Sequence, residues 1–245
     1  MKISVIIPAL NEEATVAHVV KAAWADSPHE ILVIDADSTD RTAAEAQEAG
    51  ASVLNWRDIL PAIPTQPGKG ESLWRGVAAA TGDVVVFMDA DLTAPQPGMV
   101  TALAAPFTEP GIVMARATYP RTLGGVAGEG GRVTELTAKP LLGMYFPELA
   151  TIDQPLGGEY ALRRSAALEL PFVSGYGVEA GLLIDVSRTH GPAAITQVRL
   201  PERSHRNKPL ADLAPMARTI AQTILGRAGV WDSDLPERPA LGTVL

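Results

Sequence analysis

The chain contains no cysteine, which excludes disulfides and thiolate metal sites and makes the reducing cytoplasm its expected compartment. Long apolar runs are missing too: nothing approaches the roughly 18 apolar residues that a transmembrane helix needs. The opening "MKISVIIPALNEE" is apolar over too short a span for a secretion signal, and Pro8 interrupts it. Positive charge is scarce. Against 28 Asp and Glu stand 20 Lys and Arg, a formal charge of −8, which argues against broad binding to nucleic acid or to an anionic membrane. One segment reverses that balance, since Arg199, Arg203, Arg206, Lys208, Arg218 and Arg227 are opposed only by Glu202 and Asp212. A basic segment on an acidic chain suits a small anionic ligand better than a polymer. The remainder is ordinary: 245 residues, 47% hydrophobic and 20% charged, enough for one large α/β domain or two closely joined halves.

The first half alternates strand and helix signals, which predicts βαβ units and a parallel sheet. Strands are expected over 2–8, 30–35, 52–55 and 84–88. Helices are expected over 12–25, capped by Asn11, from the "DSTD" run to Gly50, and over 70–80. The second half is less regular. It predicts a strand over 112–119, a glycine-heavy loop over 124–131 and a short helix over 133–139 stopped or kinked by Pro140. A turn and strand in "PLGGEYALRR", a helix over 178–190, a strand over 195–200 and an amphipathic helix over 210–225 follow. The tail, 231–245, is rich in Pro and Asp without periodicity and is expected to be loosely ordered.

The stretch "VVFMDADL" carries the strongest chemical signal. Its apolar run does not alternate, as in a strand covered on both faces, and Asp89 and Asp91 follow where the strand ends. At i and i+2 of an extended chain the two carboxylates point the same way, at the sheet edge where open α/β folds bind ligands. Like charges that close need a cation or donor between them. The pair therefore reads either as a divalent-metal site or as a solvated turn. "PALNEE" and "DADSTD" put polar residues at two further strand tips on the same edge, and each also reads as a capped helix start. No G-x-G-x-x-G follows the first strand, and "PGKGES" lacks phosphate-loop spacing, so nicotinamide and ATP binding find no support.

Together, "SVIIPALNEEATV", "VIDADSTDRT", "PGKGESLWRG" and "VVFMDADL" resemble the nucleotide-sugar half of a GT-A-fold glycosyltransferase. "GGRVTEL", "KPLL", "QPLGGEYA", "PFVSGYGVEAGLL" and "HRNKPL", in that order, resemble the glucosyl-3-phosphoglycerate synthases and their mannosyl relatives. The resemblance implies an α/β fold with a Rossmann-like, mostly parallel sheet flanked by helices. Residues 1–115 would hold the nucleotide sugar and 116–230 the acceptor. The implied reaction is metal-dependent, retaining transfer of a hexose from a nucleotide diphosphate sugar to the 2-hydroxyl of 3-phosphoglycerate. Mg²⁺ or Mn²⁺ is the implied cofactor. UDP-glucose is the favoured donor, GDP-mannose and GDP-glucose are the alternatives, and a homodimer is the expected assembly.

The resemblance also assigns residues. Pro8, Ala9, Leu10 and Glu12 match the stretch that holds base and ribose, and Lys69 a lysine on the donor's nucleoside. Asp89, Ala90 and Asp91 match an Asp-x-Asp motif, with Asp91 on the metal and Asp89 on ribose or water. His205 matches the histidine that completes the metal site, and Arg203 its neighbour on the diphosphate. Gly131, Arg132 and Thr134 match the turn that binds the acceptor's phosphate, and Asn207 lies in the acceptor loop. Leu156, Gly157 and Glu179 match residues around the donor sugar. Asp91, Glu179, Arg203 and His205 are thereby expected at the catalytic centre.

Chemistry independent of the resemblance is compatible with these roles. A hard divalent cation prefers carboxylate, water and phosphate oxygens, and Mn²⁺ tolerates imidazole. Arg132 starts a helix after a glycine turn, where backbone N–H groups and a guanidinium can converge on one phosphate. Taken alone, a histidine such as His205 is more often structural than a ligand, and "GYGVEAGLL" reads equally as core helix with Glu179 capping or pairing. The chain departs from the family at the base contact. Ala36 replaces a small polar residue and Asp37 stands where Gly is common, so uridine and guanosine both stay open. Two rivals share the first-half motifs. An inverting family 2 enzyme acting on a lipid phosphate lacks its membrane segment and an obvious second-half base here. A catalytically silent nucleotide-sugar sensor would dispense with Arg132 and Thr134, which are present.

Overall fold

The computed structural model describes residues 1–119, 122–123, 126–127, 131–201 and 210–245, with the backbone alone at 122–123, 126–127, 210 and 212. The chain begins β1 (Ile3–Ala9), α1 (Val16–Trp24), β2 (Glu30–Asp35), α2 (Thr42–Glu48), β3 (Ser52–Asn55), α3 (Lys69–Ala79) and β4 (Val84–Phe87). Next come α4 (Met99–Ala104), β5 (Met114–Thr118), β6 (Thr122–Leu123) and β7 (Val126–Ala127). A π-helical turn over Thr134–Ala138 leads into α5 (Lys139–Tyr145). The remainder is β8 (Tyr160–Arg163), α6 (Arg164–Glu169), β9 (Phe172–Val173), α7 (Val178–His190), β10 (Ile195–Arg199), α8 (Leu210–Arg227) and β11 (Glu237–Arg238).

Seven strands form one sheet in the order β10-β5-β8-β4-β1-β2-β3, with β8 antiparallel to both its neighbours. The other pairings are parallel. Along the central strands, side chains alternate between two apolar cores. Ile6, Ile34, Val85 and Phe87 enter the core shared with α3, α7 and α8, whereas Val5, Ile7, Val33, Val84 and Val86 enter the core shared with α1 and α4. With both faces buried, neither phase of the strand is free to be polar, which explains the unalternated apolar runs. Among the described residues, no helix is long and apolar enough to cross a membrane.

The loops after β1 and β2 differ from their expected form. Asn11 does not cap a helix starting at residue 12, since α1 begins at Val16. It sits at φ +56°, and its Oδ1 accepts from the Thr39 amide at 2.8 Å. The Glu12 amide donates to Thr42 Oγ1 at 2.7 Å. The Arg41 amide donates to Glu13 Oε2 at 2.9 Å. "NEE" and "STD" thus lock the two strand tips to one another. Pro140 does not stop the helical path, which runs from the π-helical turn over Thr134–Ala138 straight into α5. It falls at the second residue of α5, where the π-helical turn gives way to α, and a residue without an N–H fits that change of hydrogen-bond register.

Part of the tail is anchored to the core. β11 pairs antiparallel with β9, and the buried Arg238 guanidinium lies 2.5 Å from Glu71 Oε2 and 2.8 Å from its Oε1. Trp74 Nε1 donates to the Pro239 carbonyl at 2.9 Å, and Leu241 is buried. One buried ion pair and one apolar anchor leave no periodic trace in a sequence.

Candidate active site

A cleft of about 510 Å³ opens where β1, β2 and β4 end, the edge at which parallel α/β sheets take ligands. Its charged end is built by α3. A Cβ on Gly68 would lie 2.4 Å from the Ser174 carbonyl oxygen, and one on Gly70 1.8 Å from that of Val173. The glycines of "PGKG" therefore let the start of α3 approach the backbone at β9. Lys69, between them, places Nζ 2.6 Å from Asp89 Oδ1 and 2.6 Å from Glu179 Oε1. Burial opposes the ammonium charge, but the two carboxylates outweigh it and hold the Lys69 pKa well above the ordinary lysine value.

The chain turns at Ala90 and Asp91 instead of staying extended, yet Asp89 and Asp91 both line the cleft. Behind Asp89, Tyr160 packs on Phe87 with ring centroids 4.7 Å apart, and the Arg116 guanidinium lies 4.8 Å from the Tyr160 ring centre. Arg116 is fully buried, and its Nη2 donates to the carbonyls of Gln154 at 3.0 Å, Pro155 at 3.0 Å and Gly157 at 2.8 Å. Burial lowers the Arg116 pKa and raises that of Tyr160. This grip shapes the "QPLGG" turn, which presents Leu156 to the cleft.

Gly131, at φ +76°, precedes the helical turn that carries Arg132 and the buried Thr134, and all three line the cleft. The Glu135 amide donates to the Gly131 carbonyl at 3.0 Å, closing the first turn.

Most of the expected site thus converges. Pro8, Ala9, Leu10 and Glu12 line the cleft from the first strand tip, Lys69, Asp89, Ala90 and Asp91 from the centre, and Leu156 and Glu179 from the second half. Asp37 does not line it. At φ +65°, its carboxylate turns to Arg57 Nε at 2.7 Å and Asn55 Nδ2 at 3.1 Å. Those two neighbours, the guanidinium foremost, hold the Asp37 carboxyl well below the usual range. Gly157 does not line it either; its carbonyl is taken by Arg116. Arg203, His205 and Asn207 lie outside the described residues. Trp56, Tyr176 and the α8 residues Leu213, Met216 and Ile220 also line the cleft, and sequence reasoning missed them. Tyr176 had a signal, an aromatic between two glycines in "SGYGVE". The apolar stripe of α8 was legible, but a stripe facing a core and one facing a cleft look alike.

The carboxylates of Asp89 and Asp91 are hard oxygen donors of the kind Mg²⁺ and Mn²⁺ take. Among the described residues no group of three His, Asp or Glu side chains could hold a metal, and the expected third ligand, His205, lies outside them.

A mostly parallel sheet covered on both faces, with one antiparallel strand and an Asp-x-Asp pair at the cleft, defines a GT-A-type glycosyltransferase. Residues 4–154 match glycosyl transferase family 2. A glucosyl-3-phosphoglycerate synthase of Mycolicibacterium paratuberculosis is 47% identical over 245 residues, spanning 94% of this chain and 74% of the relative. One from Petrotoga mobilis is 42% identical over 238 residues, spanning 93% of this chain and 73% of that one. The crystal structure of the Mycobacterium tuberculosis glucosyl-3-phosphoglycerate synthase with Mn²⁺, UDP-glucose and phosphoglyceric acid superposes with a TM-score of 0.91 at 42% identity, covering 100% of this chain and 91% of that one. The chain belongs to the glucosyl-3-phosphoglycerate synthase family.

Proposed function

We propose that the chain transfers glucose from UDP-glucose to the 2-hydroxyl of 3-phosphoglycerate with retention at the anomeric carbon. The observation that carries this reading is the joining, in one cleft, of the Lys69–Asp89–Glu179 cluster and the Gly131–Thr134 turn. A nucleotide diphosphate sugar suits the first and a phosphorylated acceptor the second. Asp91, with His205, would hold the divalent cation, whose charge offsets that building on the departing diphosphate. Lys69 pairs with Asp89 and Glu179 at 2.6 Å each, so the carboxylates stay fixed beside the donor. Arg132 and the amides around it take the acceptor's phosphate. Arg203 would stand on the diphosphate and Asn207 on the acceptor, while Leu156 fixes the sugar's outer wall. Front-face attack within the closed site fits this arrangement better than a covalent intermediate, because no obvious carboxylate nucleophile stands out and Glu179 is already committed to Lys69 at 2.6 Å.

In this reading the first half serves the nucleotide, and the second the acceptor together with the donor's sugar and diphosphate, and their strands share one sheet. The protein works in the cytoplasm, in keeping with its lack of cysteine. It works as a homodimer, and the exposed Leu136 and Met144 supply apolar surface for a second copy to cover. The test is a panel of UDP-glucose, GDP-glucose and GDP-mannose, each with 3-phosphoglycerate, with and without Mg²⁺ or Mn²⁺. UDP-glucose with metal should give the fastest release of nucleotide diphosphate. Turnover that a chelator leaves intact would overturn the metal role.

A further inference from the structure

The geometry points to Trp56 as the wall of the subsite for the donor's base, and to Asp37 as the positioning residue that holds Trp56 there. The inference rests on the proposed use of a nucleotide sugar and deepens it.

The sheet sets the distances. From the carboxylate end of the cleft, strand tips follow in the order β4, β1, β2, β3. Three strand spacings separate the first from the last, about 14 Å, comparable to the reach of an extended nucleoside diphosphate. A diphosphate held at the Asp91 end of the cleft leaves the base toward β2 and β3. There the lining is Ala9, Ala36 and Trp56, two methyl groups and one indole.

The position of Trp56 is fixed at the backbone. Ala9 is opposite Asp35, and Asp35 opposite Asn55. The ladder then continues one residue further on each strand, as the Ala36 amide donates to the Ala9 carbonyl at 2.9 Å and the Trp56 amide to the Asp35 carbonyl at 3.0 Å. Both residues flanking Trp56 are tied to Asp37, Asn55 through Nδ2 at 3.1 Å and Arg57 through Nε at 2.7 Å. The Arg57 amide also donates to Asn55 Oδ1 at 2.9 Å. Trp56 is 9% exposed, packed against the core while still reaching the cleft. Such a wall is rigid before the ligand arrives. It offers an aromatic face to any base and limits the depth left for a two-ring one. Asp37 therefore bears on the base through Trp56 and not by touching it, which accounts for an acidic residue at a left-handed backbone position.

The experiment measures UDP and GDP binding by calorimetry and tryptophan fluorescence, with Mg²⁺ present, on the full chain. Wild type should bind UDP with a clear change in fluorescence. Trp56→Phe should keep UDP affinity within a few-fold and lose most of that change, although Trp24, Trp74 and Trp231 remain. Trp56→Ala should weaken UDP roughly five- to hundredfold, the range seen for base–aromatic contacts, and weaken GDP less, so that the preference narrows. Asp37→Ala should weaken UDP binding in the wild type and add nothing in the Trp56→Ala background. A wild type that binds UDP, with Trp56→Phe retaining the full fluorescence change or folded Trp56→Ala retaining wild-type affinity, overturns the inference and leaves the donor reading standing. A wild type that binds neither nucleotide overturns both.

Discussion

Gly158 lies so close to Asp89 that a Cβ on it would stand 2.2 Å from Oδ2 of the carboxylate. The absent side chain is what lets Asp89 keep its place beside Lys69. Gly158→Ala should therefore displace Asp89 while the buried turn, still gripped by Arg116, stays folded. Displacements of about an ångström at a reacting site can cost about a hundredfold in rate. Steady-state kinetics beside a thermal melt checks this, and the expected result is a loss of that order in kcat with an unchanged melt.

Lys69 offers a prediction in pH. Its folded pKa lies well above the ordinary lysine value of 10.5 because Asp89 and Glu179 face it. A raised pKa means that its stabilising contribution is fully present below the ordinary value and is lost only as pH rises through the folded one. The stability gap between wild type and Lys69→Met should thus stay constant from about pH 6 to about pH 10. Urea unfolding across that range reads it. The same variant, with its two carboxylates left facing each other, should bind UDP-glucose more weakly.

Arg238 ties the tail to a buried carboxylate. Arg238→Ala leaves Glu71 in the core with Arg75 as its remaining ion-pair partner, 2.6 Å away. Breaking a buried pair costs about 3 kcal/mol or more, so the urea midpoint should fall markedly without a change in KM for either substrate.

Arg132 separates the two substrates. A charged hydrogen bond is worth roughly 1.5–3 kcal/mol, so Arg132→Ala should raise KM for 3-phosphoglycerate by about ten- to a hundredfold. UDP affinity by calorimetry should stay as in wild type. Glycerate without its phosphate should be a very poor acceptor for the unaltered chain.

Local pattern made much of this legible. The strands over 30–35 and 52–55 and the helix over 178–190 match β2, β3 and α7 residue for residue, because each is bounded by a turn or glycine. The tips carrying Glu12, Asp89 and Asp91 were legible because strand ends on one edge of a parallel sheet must face one crevice. Partnerships across the chain were not. Lys69 meets Glu179 110 residues away, and Arg238 meets Glu71 across 167. Nothing local marks such pairs. The partner of Asp37 was hidden for the same reason: at φ +65° its carboxylate meets Arg57, and a backbone angle is invisible in composition. Trp56 was passed over because a lone tryptophan after a strand reads as core, which in part it is.

The most direct test of the central claim is proton NMR of the reaction of the chain with UDP-glucose, 3-phosphoglycerate and Mg²⁺. The account predicts one new α-anomeric signal, from a glucoside joined at O2 of the intact phosphoglycerate, appearing in step with UDP. A β-anomeric product, or release of free glucose with the phosphoglycerate unchanged, would contradict it.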